Sequence, residues 1–274
     1  MSGILYIIGT PIGNMEDITL RQMRLLEEVD FICAEDTRVT LKLLNRCEIK
    51  NELVSFHEHS SKSEAQRIID RILSGQNCGV VTDAGMPCIS DPGEVLVRMC
   101  CENGIDVRVV PGPTAAASAA ALSGLHINRF TFEGFLPVPK KERQERLELL
   151  RNETAVMIFY EAPHKLKNTL ADMADFFGGE RKISICREIT KLHEEVIRFT
   201  LSEAVEYYNT TEPRGEFVLV LEGKNTADSE EITLEQAMEQ VKRLIEKGEK
   251  PTEACKAVAK ETGFRKSELY AALN

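Results

Sequence analysis

Residues 4–14 read ILYIIGTPIGN. The apolar run Ile4–Ile8 is short and strand-like, and Gly9 and Gly13 bracket the turn that ends it. A glycine turn after a first strand suggests a phosphate cradle. A dinucleotide fingerprint, however, needs G-x-G-x-x-G with N–H groups aimed at a pyrophosphate. Here Pro11 removes a donor from the middle of the turn. The loop is poorly made for phosphate.

The pattern around this stretch repeats. Residues 18–29, 37–46 and a run through Ile68, Ile69 and Ile72 have helical spacing, and a further helix ends at Gly104. Phe31–Ala34, Leu53–Phe56, Gly79–Thr82 and Val107–Val110 read as strands between them. Strict alternation predicts a mainly parallel, doubly wound α/β sheet, which binds ligands beyond the carboxyl ends of its strands. Those ends are residues 9–14, 35–38, 83–93 and 111–114. A second α/β half follows, with strands at 130–135, 156–160, 183–186, 196–200 and 217–221 and helices at 140–151, 164–177 and 202–208. Its many extended segments predict a mixed sheet. Residues 224–232, KNTADSEEI, read as a polar linker. Thr233 and Gln236 then have capping-box spacing, and three short helices around Gly263 suggest a helix-turn-helix-like module. The predicted organisation is an α/β domain over 1–122, a second over 123–224 and a helical module over 233–274.

Composition narrows the class. With 274 residues and 43% hydrophobic content, two ordinary domains and an appendage can be built. The early apolar run is far below the ~20 residues that span a bilayer, and no signal peptide is evident, so a cytoplasmic protein without a membrane partner is expected. Eight cysteines include no C-x-x-C pair, and the histidines show no metal spacing, so buried reduced thiols and no metal are expected. The net charge of −10 argues against a protein that coats nucleic acid. Residues 140–151, KKERQERLELLR, still carry five basic and three acidic side chains, either a solvated helix face or a polyanion-binding one.

Three other loops invite ligand chemistry. TDAGMPCISDPG, residues 82–93, holds two Gly, two Pro and two Asp. Gly85 permits close backbone approach, Pro87 and Pro92 stiffen the loop, and Asp83 and Asp91 either satisfy loop N–H groups or meet a ligand amine. At VVPGPTAAASAAALSG, 109–124, a strand breaks into a helix of very small residues, leaving room for a flat ligand or a closely packed segment. YEAPHK, 160–165, and CREITKLHEE, 186–195, gather charges that a core would not need.

Taken together, LYIIGTPIGNMEDIT, AEDTR, VTDAGMPCISDPG, VPGPTA, FEGFLP, YEAPH and CREITKLHEE, in this order, resemble the tetrapyrrole methylase family of S-adenosylmethionine-dependent enzymes, in its branch that acts on small-subunit ribosomal RNA. The resemblance runs over residues 4–223. It implies a homodimer and a cofactor cleft between two α/β domains. It places S-adenosylmethionine against Pro11 and Ile12, against Asp83, Ala84, Gly85, Met86 and Ile89, against Thr114 and Ala115, and at Tyr160 or Glu161. Many members carry an acidic residue where this chain has Met86, which leaves backbone contacts there. The implied reaction is 2′-O-methylation of a cytidine in the decoding region of 16S rRNA. Glu35, Asp36, Arg38, Arg187, Glu188 and Lys191 are the candidates for positioning and proton handling, with Lys191 as base if its pKa is lowered. A small-molecule methyltransferase and a non-catalytic RNA-binding assembly factor are the alternatives.

Overall fold

The computed structural model describes residues 2–89, 91, 93–224, 234–246, 248–262 and 264–273. Five parallel strands form the first sheet: β1 (Ile4–Ile8), β2 (Phe31–Ala34), β3 (Leu53–Ser55), β4 (Cys78–Val81) and β5 (Asp106–Val110). Their spatial order is β3-β2-β4-β1-β5. Period-two alternation divides each strand between two cores. Ile8, Ile32 and Val81 pack with α1 (Leu20–Glu28) and α2 (Thr37–Arg46). Leu5, Cys33 and Val80 pack on the other face with α3 (Lys62–Leu73) and α4 (Gly93–Glu102). The first helix starts at Leu20 rather than at the expected Ile18, because Thr19 and Gln22 form a capping box there. A one-turn 3₁₀ helix, Met15–Asp17, fills the space before it.

The second sheet is mixed, in the order β6-β7-β10-β8-β9. Its strands are β6 (Phe130–Phe135), β7 (Val156–Glu161), β8 (Lys182–Arg187), β9 (Glu195–Thr200) and β10 (Phe217–Leu221). The β6–β7 pair is parallel and the others are antiparallel. One face carries α6 (Lys140–Leu150), α7 (Pro163–Phe177) and α8 (Leu201–Thr210) over a core that includes Phe159, Leu170 and Leu219. The other face receives α5 (Ala115–Leu122), which follows β5 in sequence but packs Ala119 and Ala120 against Ile158, Val218 and Val220. The small residues of this helix therefore serve a close helix–sheet contact. Arg198 of β9 completes the joint, donating from Nε to the Ser123 carbonyl at 2.9 Å and from a terminal guanidinium nitrogen to Leu122.

A separate unit, Lys224–Asn274, holds α9 (Leu234–Glu246), α10 (Pro251–Thr262) and α11 (Lys266–Ala271). Its core is built from residues such as Val241, Cys255, Val258 and Leu269. The expected linker beyond Lys224, the Thr233 cap and the turn residue Gly263 lie outside the described residues. Among those described, no helix is long and apolar enough to cross a membrane. Cys33, Cys78, Cys100, Cys186 and Cys255 are buried free thiols.

Candidate functional site

Three of the predicted ligand loops meet at the carboxyl edge of the first sheet. Thr10 and Gly85 exchange backbone hydrogen bonds at 2.9 and 3.1 Å, and the Thr10 hydroxyl donates to the Thr82 carbonyl at 3.2 Å. These bonds join the turn after β1 to the turn after β4. The Gly112 N–H donates to the Met86 thioether at 3.2 Å, which ties in the turn after β5. Met86 thus has a structural partner of its own. The Gln22 amide, reaching from α1, donates to the Gly9 carbonyl at 2.7 Å and fixes the first turn from below.

Gly85 sits at the junction with φ of +88°, a conformation that favours glycine. A Cβ there would meet Ile12 Cγ2 at 3.3 Å and the Pro113 carbonyl at 3.4 Å. The space is therefore a cradle that a side chain would fill. Ile12 beside it and the neighbouring Pro11 are half-buried, Ala84 is exposed, and Ile89, four residues along the same loop, is 57% exposed despite its apolar side chain. Small, apolar and short of free N–H groups, this lining fits a flat, partly apolar, cationic ligand such as S-adenosylmethionine better than a pyrophosphate. Thr114 caps α5, accepting from the Ala117 N–H at 3.1 Å, and Ala115 is half-buried beside it. Pro92, expected to stiffen the second loop, lies outside the described residues. Asp91 in that loop takes the structural role, accepting from Ile89 and Gly93 N–H groups at 3.2 and 2.9 Å.

The structure separates Tyr160 from Glu161. Tyr160 shares the α5 side of β7 and meets Phe132 and Phe135 edge-on, with centroids 4.9 and 5.6 Å away. Burial pushes its phenol pKa up, opposed by a backbone hydrogen bond from Ala116. Glu161 points to the opposite face. Its carboxylate accepts from the Thr169 hydroxyl at 2.5 Å and the Ala162 N–H at 2.9 Å, which anchors the start of α7. Of the two, only Tyr160 faces the side on which Ile12 and Ala115 pack.

The six candidates for proton handling fall into two groups. Glu35 accepts from the Thr82 hydroxyl at 2.6 Å, and the Asp36 N–H donates to Asp83 at 3.1 Å. Asp36 caps α2 and pairs with Arg38 at 2.6 Å, which holds its carboxyl down at about 2. Asp83 moves the other way, raised by desolvation and by the nearby Glu35. The second group lies after β8. Arg187 pairs with Glu195 at 3.2 Å. Glu188 accepts from Lys191 and from the Glu216 N–H, both at 2.9 Å, and Lys191 also pairs with the Glu216 carboxylate. The lowered pKa that would make Lys191 a base is not found. Desolvation pulls it down, but hydrogen bonds to Glu216 and Glu188 more than offset this and raise it. In this geometry Lys191 is a held cation.

This second loop carries backbone strain. Glu188 and Thr190 have φ of +50° and +67°, rare for side chains with a Cβ and most of all for a β-branched one. Ile189 between them is buried against β8 and β10 residues and holds the loop in place. Gly13 of the first turn makes room for it, since a Cβ there would meet the Thr190 hydroxyl at 2.9 Å. Beside this contact lies a cavity of about 330 Å³, lined by Asp17, Thr19, the 111–113 turn, Ser118 and Thr190. The 111–113 turn is one of the ligand-facing ends expected from the chain, whereas Asp17, Thr19 and Thr190 were not singled out there, although all three stand inside motifs that carry the resemblance.

The basic stretch 140–151 is mostly neutralised. Arg143 is buried against Asp172 at 2.7 Å, and Arg146, Lys141 and Arg151 pair with Glu133, Glu145 and Glu148. It reads as a packed and solvated helix rather than an open polyanion face.

The profile of the Tetrapyrrole (Corrin/Porphyrin) Methylases matches residues 4–205. A Bacillus subtilis protein named Ribosomal RNA small subunit methyltransferase I is 46% identical over 98% of this chain and 93% of its own length. A Thermotoga maritima protein of the same name is 48% identical over 81% of this chain and 99% of its own. The fold is shared with a Thermus thermophilus uroporphyrin-III C-methyltransferase solved with S-adenosylhomocysteine, at a TM-score of 0.57 and 17% identity over 80% of this chain and 97% of that one. The chain belongs to the tetrapyrrole methylases, as a methyltransferase of the ribosomal RNA small subunit methyltransferase I family.

Proposed function

We propose that this protein transfers a methyl group from S-adenosylmethionine to the ribose 2′-oxygen of a cytidine in the decoding region of 16S rRNA, within the small ribosomal subunit. The observation that carries the reading is the identity of 46% along nearly the whole chain with a relative whose name gives that RNA, set beside the convergence of three loops at Gly85. When bound, the sulfonium supplies a methyl group whose leaving group is already activated. Ile12, Ala84, Gly85, Met86, Ile89, Thr114, Ala115 and Tyr160 hold the donor, through backbone groups and apolar contact. The protein's task is alignment of the ribose oxygen and removal of its proton. The Glu35–Asp83 pair offers carboxylates for that task. Lys191 and Arg187 are cations for phosphate or for ordering the loop. A homodimer belongs to this reading, and exposed Phe130 and Phe135 on edge strand β6 are apolar surface that a second copy would cover.

Incubation with methyl-labelled S-adenosylmethionine and small subunits, followed by mapping of 2′-O-methylation in 16S rRNA, tests the reading. Label at one cytidine of the decoding region is expected. Label only in an added tetrapyrrole, or cofactor binding without transfer to RNA, overturns it.

A further inference from the structure

The cavity beside the three loops has features that the donor site does not use. Its volume of about 330 Å³ is at the small end for ligand pockets and has room for one nucleoside. Asp17 Oδ2 and Thr190 Oγ1 are both shielded from solvent, and neither has a hydrogen-bond partner among the described residues. Buried polar atoms are normally paired, because an unmet acceptor loses its water without recompense. Both residues line the cavity, so it brings together two polar side chains that each have an unmet group. Another part of the lining, the Pro111–Gly112–Pro113 turn, is short of N–H donors and offers prolyl surface. The same turn lines the donor cradle, where the Pro113 carbonyl stands 3.4 Å from the position of a Gly85 Cβ. Whatever enters the cavity therefore lies next to the methyl donor.

We infer that this cavity receives the flipped-out target nucleoside, and that Asp17 selects cytosine by accepting a hydrogen bond from its exocyclic amine. The inference rests on the RNA reading above. Sequence-specific recognition of RNA targets unstacked nucleotides, whose splayed-out bases are read on their Watson–Crick edges. A carboxylate oxygen is the natural acceptor for the cytosine N4 amine. Uracil presents a carbonyl at that position and would face Asp17 with two acceptors. The Thr190 hydroxyl, which can donate, is suited to cytosine N3 or O2. Asp17 is thus a specificity residue, distinct from the groups that hold the donor.

The test uses small subunits carrying cytidine, uridine or 2-pyrimidinone ribonucleoside, which lacks the amine, at the target position. Wild-type protein is expected to methylate cytidine at least about tenfold faster than either replacement. Asp17→Ala should slow transfer to cytidine by about tenfold, leave the uridine rate nearly unchanged and leave S-adenosylmethionine affinity intact by calorimetry. Equal rates at cytidine and 2-pyrimidinone with wild-type protein overturn the assignment, and this arm needs no variant to fold. A parallel fall at cytidine and uridine in Asp17→Ala overturns it as well. If wild-type protein labels no RNA at all, the RNA reading has failed and takes this one with it. Label on cytidine without discrimination leaves that reading standing and removes only the role of Asp17.

Discussion

A Cβ on Gly9 would lie 2.7 Å from the Gly112 Cα and 2.8 Å from the Met86 sulfur. The turns after β1 and β5 thus touch backbone to backbone, and the cradle at Gly85 depends on the contact. Gly9→Ala should force them apart and destabilise the fold by about 2 kcal/mol, as overpacking does. Thermal unfolding should fall by several degrees, with at least a tenfold weaker affinity for S-adenosylmethionine. An unchanged melting point and affinity would show that the turns have slack.

Arg143 and Asp172 form an ion pair whose side chains are only 12% and 10% exposed. Removing one partner strands a buried charge, so Arg143→Ala should cost about 3–5 kcal/mol in denaturant unfolding. Arg143→Met combined with Asp172→Leu should recover most of that. A loss below 1 kcal/mol for the single change would mean that α6 does not depend on this pair.

Lys191 separates a held cation from a general base. Its folded pKa is raised above the usual 10.5, because Glu216 and Glu188 outweigh desolvation. That stabilisation is present in full below about 10.5 and is lost as pH rises through the folded value. Lys191→Met should cost about 1–2 kcal/mol near neutrality, with the gap to wild type closing at strongly alkaline pH. Methyl transfer at saturating cofactor should fall less than tenfold, well short of the roughly 10²–10⁴ that loss of a base produces. A larger fall with intact cofactor binding would return Lys191 to the base's role.

Asp36 and Asp83 should respond to pH in opposite senses. Asp36 is depressed to about 2, chiefly by its hydrogen bond to Arg38, so its contribution is present above about 4 and fades as pH falls through 2. Asp83 is raised by desolvation and Glu35, so its ionised form costs stability above its folded pKa. Asp83→Asn should therefore raise the melting point at pH 7, by only about a degree because the group is largely exposed, and have no effect near pH 3. Asp36→Asn should lower it at pH 7 and not at pH 2. Melting curves across pH for both variants check the signs.

How much of this was legible in the chain varies residue by residue. The strand Phe31–Ala34 and the helix over 37–46 were read to the residue, because apolar runs and helical spacing are local signals. The loops that meet at Gly85 were legible as motifs, since glycine and proline mark turns wherever they occur. Other features depended on distant partners. Arg143 looked like part of a basic face until the fold set Asp172, 29 residues on, against it. Lys191 looked like a candidate base until Glu216, 25 residues on, closed over it.

The alternation of strand and helix, the turns that end the strands and the family those turns belong to are all legible in the chain alone. Each of these is written in neighbouring residues, through steric limits on the backbone and the period of buried side chains. Tyr160 and Glu161 face opposite ways because β7 runs on through Glu161, one residue past the strand expected from the chain. Which face received α5, and so which of the pair looks toward the side where Ile12 and Ala115 pack, was settled by packing against the second sheet. Tertiary packing alone brought Gly9 against Gly112, gave Met86 the Gly112 N–H, and left Asp17 Oδ2 and Thr190 Oγ1, on two residues that line one cavity, without a hydrogen-bond partner among the described residues. Those outcomes depend on strand order and on segments a hundred residues apart coming together, and no local preference encodes them.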